Sequence, residues 1–314
     1  MNRIDGTDLD VFPLCFGGNV FGWTADEPRS FALLDAYTAA GGNFIDTADS
    51  YVEWAPGGKG GESETIIGHW LARRGRRDDL VIATKVGQAP GREGLSPANI
   101  ATAADASLER LGVDHIDLYY AHEDDPGTPL EETMAAFAEL VRAGKVRHVA
   151  ASNYAAPRLA EALATSDRVG APRYVGVQTH YNLVHRAEYE DELAPLCARE
   201  GLSGFAYSAL ADGFLTGKYR PGRELPQSER AEDAAPYLDE RGRRVLESLD
   251  SVAARHDAPV ATVALAWLTA QPTVAAAVAS ARTVEQLGEL LASATLRLDE
   301  DDVRLLAEAS AGPS

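Results

Sequence analysis

Four side chains of distinct acid–base character stand where short apolar runs give way to loops. Asp46 and Tyr51 lie in FIDTADSY, Lys85 in LVIATKVG and His122 in IDLYYAHEDD. A phenol ordinarily loses its proton near pH ~10 and is too weak an acid for efficient transfer near neutrality. An adjacent ammonium favours phenolate and lowers that value, and Lys85 is the ammonium on offer to Tyr51. A lysine at the end of an apolar strand needs a carboxylate to offset its desolvation, which Asp46 can provide. His122 adds a hydrogen-bond donor for an oxygen on which negative charge develops. Together these types describe a site that protonates a carbonyl oxygen. None of them supplies a hydride, so a reduction would require a redox cofactor. Taken singly, each has an ordinary structural role, but convergence of four titratable groups on one mouth has few structural explanations.

That convergence demands a scaffold, and the hydrophobic pattern offers one. Short runs rich in β-branched and aromatic residues alternate with longer helical patterns, as expected of parallel strands joined by helices. Candidate strands are Leu14 to Gly18, Asn43 to Thr47, Leu80 to Val86, His115 to His122, Val146 to Ser152, Tyr174 to Thr179, Leu202 to Tyr207 and Val274 to Ala279. Between them run segments such as ESETIIGHWLARRG and LEETMAAFAELVRAG, with apolar positions three and four residues apart. Several of these segments close on Gly. Ser96-Pro97, and Thr283 ahead of Glu285 and Gln286, read as helix entries. The expected fold is α/β: a (β/α)8 TIM barrel with an N-terminal β-hairpin over Arg3 to Phe12 and accessory C-terminal helices, residues 1–314 forming a single domain. In such a barrel the chemistry sits at the C-terminal ends of the strands, where all four residues fall. The stretch Ala209 to Glu240, rich in Pro, Gly and charge, breaks the rhythm of the seventh unit and reads as a long loop, functional or mobile.

Bulk composition narrows the partners. The 314 residues carry a formal net charge of −19, which argues against nucleic acid or anionic membrane as a partner, since both need clustered Lys and Arg. The two cysteines, Cys15 and Cys197, lie in apolar segments without metal-type spacing. They read as buried thiols, with no metal expected and a reducing cytoplasm as the fitting compartment. No apolar run approaches the ~18 residues of a membrane span, and the opening MNRIDGTDLD has no apolar signal region. Oligomeric state is not readable from these features.

The motifs as a set resemble those of the aldo-keto reductase superfamily, nearly end to end. GGNFIDTADSY with GESETIIGHWL is similar to the family's aspartate and tyrosine segment, LVIATKVG to its lysine strand and HIDLYYAHEDDP to its histidine segment. The resemblance implies a catalytic tetrad of Asp46, Tyr51, Lys85 and His122. It also implies NADPH as the cofactor, with NADH the less favoured alternative. By resemblance, Ser152 and Asn153 in GKVRHVAASNY and Gln178 in VGVQTHYNLVHR would hold the nicotinamide carboxamide. In FAYSALADGFLTGKY, Tyr207 would stack on the nicotinamide, and Ser208, Leu210, Gly213 and Lys218 would lie along the pyrophosphate. In VASARTVEQLGELLAS, Ser280, Arg282 and Gln286 would take the adenosine end. Arg282 favours NADPH because a guanidinium pairs strongly with a phosphate dianion. The sequence departs from the family pattern at Leu290, where Asn is frequent, and at Ala209, where Pro is common. A GxGxxG fingerprint is not needed, because that motif belongs to doubly wound sheets.

The expected partner is a small-molecule carbonyl substrate. Trp23, Trp54 and Phe214, in segments after the first, second and seventh strands, are candidates to wall its pocket. Two other readings stay open. A strand-end lysine could form a Schiff base, making Lys85 the centre of an aldolase, although pairing with Asp46 keeps an amine protonated. The chain could also resemble the non-catalytic, cofactor-binding regulatory subunits of ion channels.

Overall fold

The computed structural model describes residues 1–220 and 231–311. A small antiparallel hairpin of β1 (Asn2–Arg3) and β2 (Asp10–Val11) precedes the barrel strands β3 (Leu14–Gly17), β4 (Phe44–Asp46) and β5 (Val81–Val86). A second hairpin, β6 (Gln88–Ala89) with β7 (Arg92–Glu93), follows at once. The barrel continues with β8 (Ile116–Ala121), β9 (Val146–Ser152), β10 (Tyr174–His180), β11 (Ser203–Tyr207) and β12 (Val274–Ala279). The eight barrel strands are all parallel, and β12 pairs with β3 to close the ring. They match the eight expected strands to within one residue at either end. The β6–β7 hairpin was not anticipated, because two-residue strands carry no periodicity to read.

Helices α1 (Glu27–Ala39), α2 (Glu62–Arg74), α3 (Pro97–Leu111), α4 (Leu130–Arg142), α5 (Ala156–Val169) and α6 (Ala194–Glu200) follow the first six barrel strands. Between β11 and β12 lie α7 (Ala231–Ala234), α8 (Glu240–His256) and α9 (Val260–Thr269), and α10 (Val284–Leu291) and α11 (Glu300–Ser310) come after β12. Part of the expected long loop, 221–230, lies outside the described residues. Ser96 caps α3 by accepting from the Asn99 amide, with Pro97 in its first turn, and Thr283 caps α10 by accepting from the Gln286 amide. α3 and α5 stop on Gly112 and Gly170 in the left-handed conformation, which a residue without a Cβ adopts at no steric cost.

Burial of both strand faces explains the apolar runs. Alternate side chains turn inward to fill the barrel: Cys15, Phe44, Ala83, Leu118, Tyr120, Ala150, Phe205 and Ala276 form one packed cluster. The large members meet at its centre, where Phe205 lies edge-on to both Phe44 and Tyr120 at 5.6 and 6.1 Å, while alanines from β9 and β12 make the room. The intervening residues, among them Phe16, Ile45, Ile82, Tyr119 and Val149, pack outward against the helices. At the N-terminal end, Ile4, Leu9 and Val11 of the first hairpin close the barrel as a plug. Beside them the buried Asp117 carboxylate pairs with Arg77 and Arg147 and accepts from the Ile82 amide at 2.9 Å. The opposite, C-terminal end is left for the loops.

Candidate active site

Strand ends and the loops behind them set the geometry. Asp46 is the last residue of β4 and Lys85 the penultimate residue of β5, on neighbouring strands, and both side chains are fully buried. The Lys85 ammonium has three donors, and each finds an acceptor: Asp46 Oδ2 at 2.6 Å, the Thr47 carbonyl at 2.8 Å and the Tyr51 hydroxyl at 2.7 Å. Tyr51 in turn donates to Asp46 Oδ2 at 3.3 Å, and Gln178 Nε2 donates to Asp46 Oδ1 at 2.9 Å. Val52, directly after Tyr51, holds a φ of 82°, a conformation costly for a β-branched residue. The His122 ring meets the Tyr51 ring edge-on at 6.2 Å, so the structure brings the four sequence candidates into one cluster.

Electrostatics depart from the expectation for Tyr51. Burial, reinforced by the Asp46 carboxylate, pushes its phenol well above the ordinary value. The sequence reading weighed only the ammonium and expected the opposite direction. The phenol therefore stays protonated through the neutral range and is a loaded donor. Burial, with the Lys85 charge acting in the same sense, holds the His122 imidazole well below its usual value. His122 is thus neutral near pH 7, and its Nδ1 has no hydrogen-bond partner.

Just behind the cluster, Asp49 is buried with both carboxylate oxygens unpartnered. Burial and the neighbouring Glu64 charge raise its pKa to about 7. A folded-state value above the unfolded one means that stability is fully present below the unfolded pKa and is lost as pH rises towards 7. Asp49→Asn is expected to stabilise the protein more at pH 8 than at pH 6, by about 1 kcal/mol. Urea midpoints of both proteins at the two pH values check this; equal shifts would show that Asp49 is not proton-linked.

The cluster opens into a cavity of about 820 Å³, within the range of small-molecule sites. Tyr51 and His122 line it, as do Ser152, Asn153, Gln178, Tyr207, Ser208, Leu210, Gly213, Lys218, Ser280, Arg282 and Gln286. Asn153 is held in a left-handed conformation, donates to the His122 carbonyl at 2.9 Å and accepts from the Tyr207 hydroxyl at 2.8 Å. Behind β11, Ser208, Ala211 and Asp212 all have positive φ, and Asn182 Nδ2 pins this segment by donating to the Ser208 carbonyl at 2.9 Å. Ser280 Oγ donates to the Gly17 carbonyl at 2.8 Å, tying the loop behind β12 to β3. The Arg282 amide donates to Gln286 Oε1 at 3.0 Å.

The three substrate candidates fare differently. Trp23 lines the cavity. Trp54 stands outside the lining, 48% exposed, packed edge-on against Trp23 and Tyr51. Phe214 is corrected: it is fully buried in the outer core beside Tyr237. The chain doubles back through Ala211–Thr216 and turns this ring away from the cavity. Asn19, Thr24, Gln88, Ala261 and Glu289 line the cavity without having been singled out. Glu289 had a readable signal, since it follows Gln286 by three residues on α10 and so shares its face. Among the described residues no group of His, Cys, Asp and Glu could hold a metal, and no helix is long and apolar enough to cross a membrane.

Comparison with known proteins agrees with this fold. The model of the Aldo/keto reductase family matches residues 13–311. An uncharacterized oxidoreductase of Bacillus subtilis is 35% identical over 98% of this chain and 94% of its own length. Norsolorinic acid reductase of Emericella nidulans is 33% identical over 94% of this chain and 77% of its own. A probable voltage-gated potassium channel subunit beta of Oryza sativa is 33% identical over 90% of this chain and 87% of its own.

Proposed function

The chain belongs to the aldo/keto reductase family, and from that premise we propose that it reduces an aldehyde or ketone to an alcohol with NADPH, Tyr51 giving the proton. The observation that carries this reading is the Lys85–Tyr51–Asp46 triangle opening, with His122, into a single cavity. That cavity also fits a dinucleotide. Lys218 and Arg282 bring cations to its lining, while Asn153 and Gln178 bond to the tetrad residues His122 and Asp46, with Ser152 beside them. These three would hold the nicotinamide carboxamide and Tyr207 its ring face. Ser208, Leu210, Gly213 and Lys218 would follow the pyrophosphate, and Ser280, Arg282 and Gln286 the adenosine end. When bound, the cofactor supplies hydride to the carbonyl carbon.

The chain's own residues handle the oxygen. Tyr51, held protonated by burial, transfers its proton to the carbonyl oxygen as that oxygen gains charge. An alkoxide is much more basic than a phenolate, so a raised phenol pKa still leaves the transfer downhill. Lys85 then stabilises the phenolate across 2.7 Å, and Asp46 holds Lys85 in place at 2.6 Å. Neutral His122 offers its ring N–H to the same oxygen, orienting the carbonyl. The aldolase alternative is disfavoured because the Lys85 nitrogen is buried among Asp46, Thr47 and Tyr51 and does not line the cavity. We read residues 1–314 as one domain, and the buried, unpaired Cys15 and Cys197 fit a reducing cytoplasm.

Purified protein is expected to oxidise NADPH when given 4-nitrobenzaldehyde; absence of turnover with a panel of reactive carbonyls would defeat the reading. Likeness to the channel subunit favours a second one, a cofactor-binding regulatory protein, which negligible turnover together with a stable membrane-channel partner would support. Arg282→Ala is expected to weaken NADPH binding by about tenfold or more, the scale of a lost hydrogen bond to a charged group, and NADH binding far less. Fluorescence titration with each cofactor checks this, and equal losses would remove Arg282 from the phosphate.

A further inference from the structure

Resting on the reductase reading, we infer that the carbonyl compound this site takes is flat, aromatic and free of negative charge. The charged side chains that line the cavity all belong to one half of it. Segments behind β9 to β12 bring Lys218 and Arg282 to its lining together with Asp212 and Glu289, whereas loops behind β3 to β8 bring Trp23, Tyr51, Gln88 and His122 and, among the described residues, no lysine or arginine. Lys85 lies beneath that second half, with its donors already committed to Asp46, Thr47 and Tyr51.

Carboxylates gather at this half instead. In the β6–β7 hairpin, Gln88 stands opposite Glu93 and Ala89 opposite Arg92. Opposed side chains share a face and successive ones alternate, so Glu93 stands on the face of Gln88 and Arg92 on the other. Glu123, next to His122, accepts from Gln88 Nε2 at 3.1 Å through Oε2. Glu53, two residues beyond Tyr51, has Oε2 shielded from solvent and without a hydrogen-bond partner. Burial and the Glu93 charge raise the pKa of this carboxyl. Carboxylates from three separate loops give the mouth a negative potential, which low-dielectric walls focus.

The wall is a separate observation and points to the ring. Trp54 packs edge-on to Trp23 and to Tyr51, both at 5.9 Å. His122, 8% exposed, lines the cavity with an unpartnered ring nitrogen. A planar ring set against Trp23 gains offset or edge contacts and presents its carbonyl to Tyr51 and His122. Its far end then points towards Gln88, Glu93 and Glu123. A carboxylate there meets like charge; a quaternary ammonium meets opposite charge and aromatic faces.

The test compares three aldehydes of one shape: 4-nitrobenzaldehyde, 4-carboxybenzaldehyde and 4-(trimethylammonio)benzaldehyde. The carboxylate is expected to show kcat/KM about tenfold or more below the nitro compound, the scale of screened like-charge contacts near a surface, and the ammonium to equal or exceed it. In Glu93→Gln/Glu123→Gln the carboxylate-to-nitro ratio of kcat/KM should rise about tenfold. Equal turnover of the charged and neutral aldehydes by the unmodified protein overturns the inference, and so does an unchanged ratio in the double variant. Quenching of Trp23 and Trp54 fluorescence by the corresponding benzyl alcohols reads the same preference without turnover. A protein that reduces none of the aldehydes defeats the reductase reading, and the quenching order still decides the charge preference.

Discussion

Replacing Tyr51 by Phe is expected to cut kcat for aldehyde reduction by about 10²- to 10⁴-fold, the range of a lost general acid, while NADPH binding stays nearly unchanged. Phe fills the same space, so the edge contacts to Trp54 and His122 survive. Only the hydroxyl goes, and with it the acceptor of one Lys85 donor and a donor to Asp46. The residues proposed to hold the cofactor lie on β9 to β12 and in the segments behind them, and the Tyr51 hydroxyl bonds to Lys85 and Asp46 rather than to any of them. Stopped-flow measurement of NADPH oxidation, set beside a fluorescence titration of NADPH, separates the two effects. Turnover at the unmodified rate would remove Tyr51 from the reaction.

Lys85→Met tests the other half of the pair and should affect folding as well as activity. Asp46 and Lys85 are fully buried, and removing the ammonium strands a carboxylate whose remaining donors are Gln178 and Tyr51. Breaking a buried pair from one side costs about 3–5 kcal/mol, and loss of the phenolate's stabilising cation should abolish measurable reduction. Asp46→Asn/Lys85→Met removes both charges and is expected to recover much of the stability but none of the activity. Urea midpoints and turnover measured together decide it. A single variant as stable as the parent would mean that the ion pair is not what holds this end of the barrel.

What could be read in advance was what local pattern encodes. The apolar runs from Leu14 to Ala279 set the strands, and polar residues ending those runs fell at one mouth because the barrel has one catalytic end. Other features depend on distant partners. Phe214 looked like a pocket aromatic, but its neighbour Tyr237 lies beyond a stretch whose path cannot be inferred from spacing. Gln88 was passed over because its hairpin is too short to leave a period. The direction of the Tyr51 pKa shift was misjudged because an ammonium can be seen in a sequence, whereas the depth at which the phenol is buried cannot.

The Asp117 cluster and its hydrophobic plug have an evolutionary consequence. Arg77, Arg147 and the first hairpin fasten the barrel at the end remote from the cavity, so the residues that anchor the fold and those around its mouth are different ones, though they alternate along the gene. Exchanging the segments that carry Trp23, Trp54, Gln88 or Glu123 leaves that anchorage untouched. Descendants of such a chain can diverge in what they accept while inheriting that foundation, which makes these segments the natural targets for laboratory diversification.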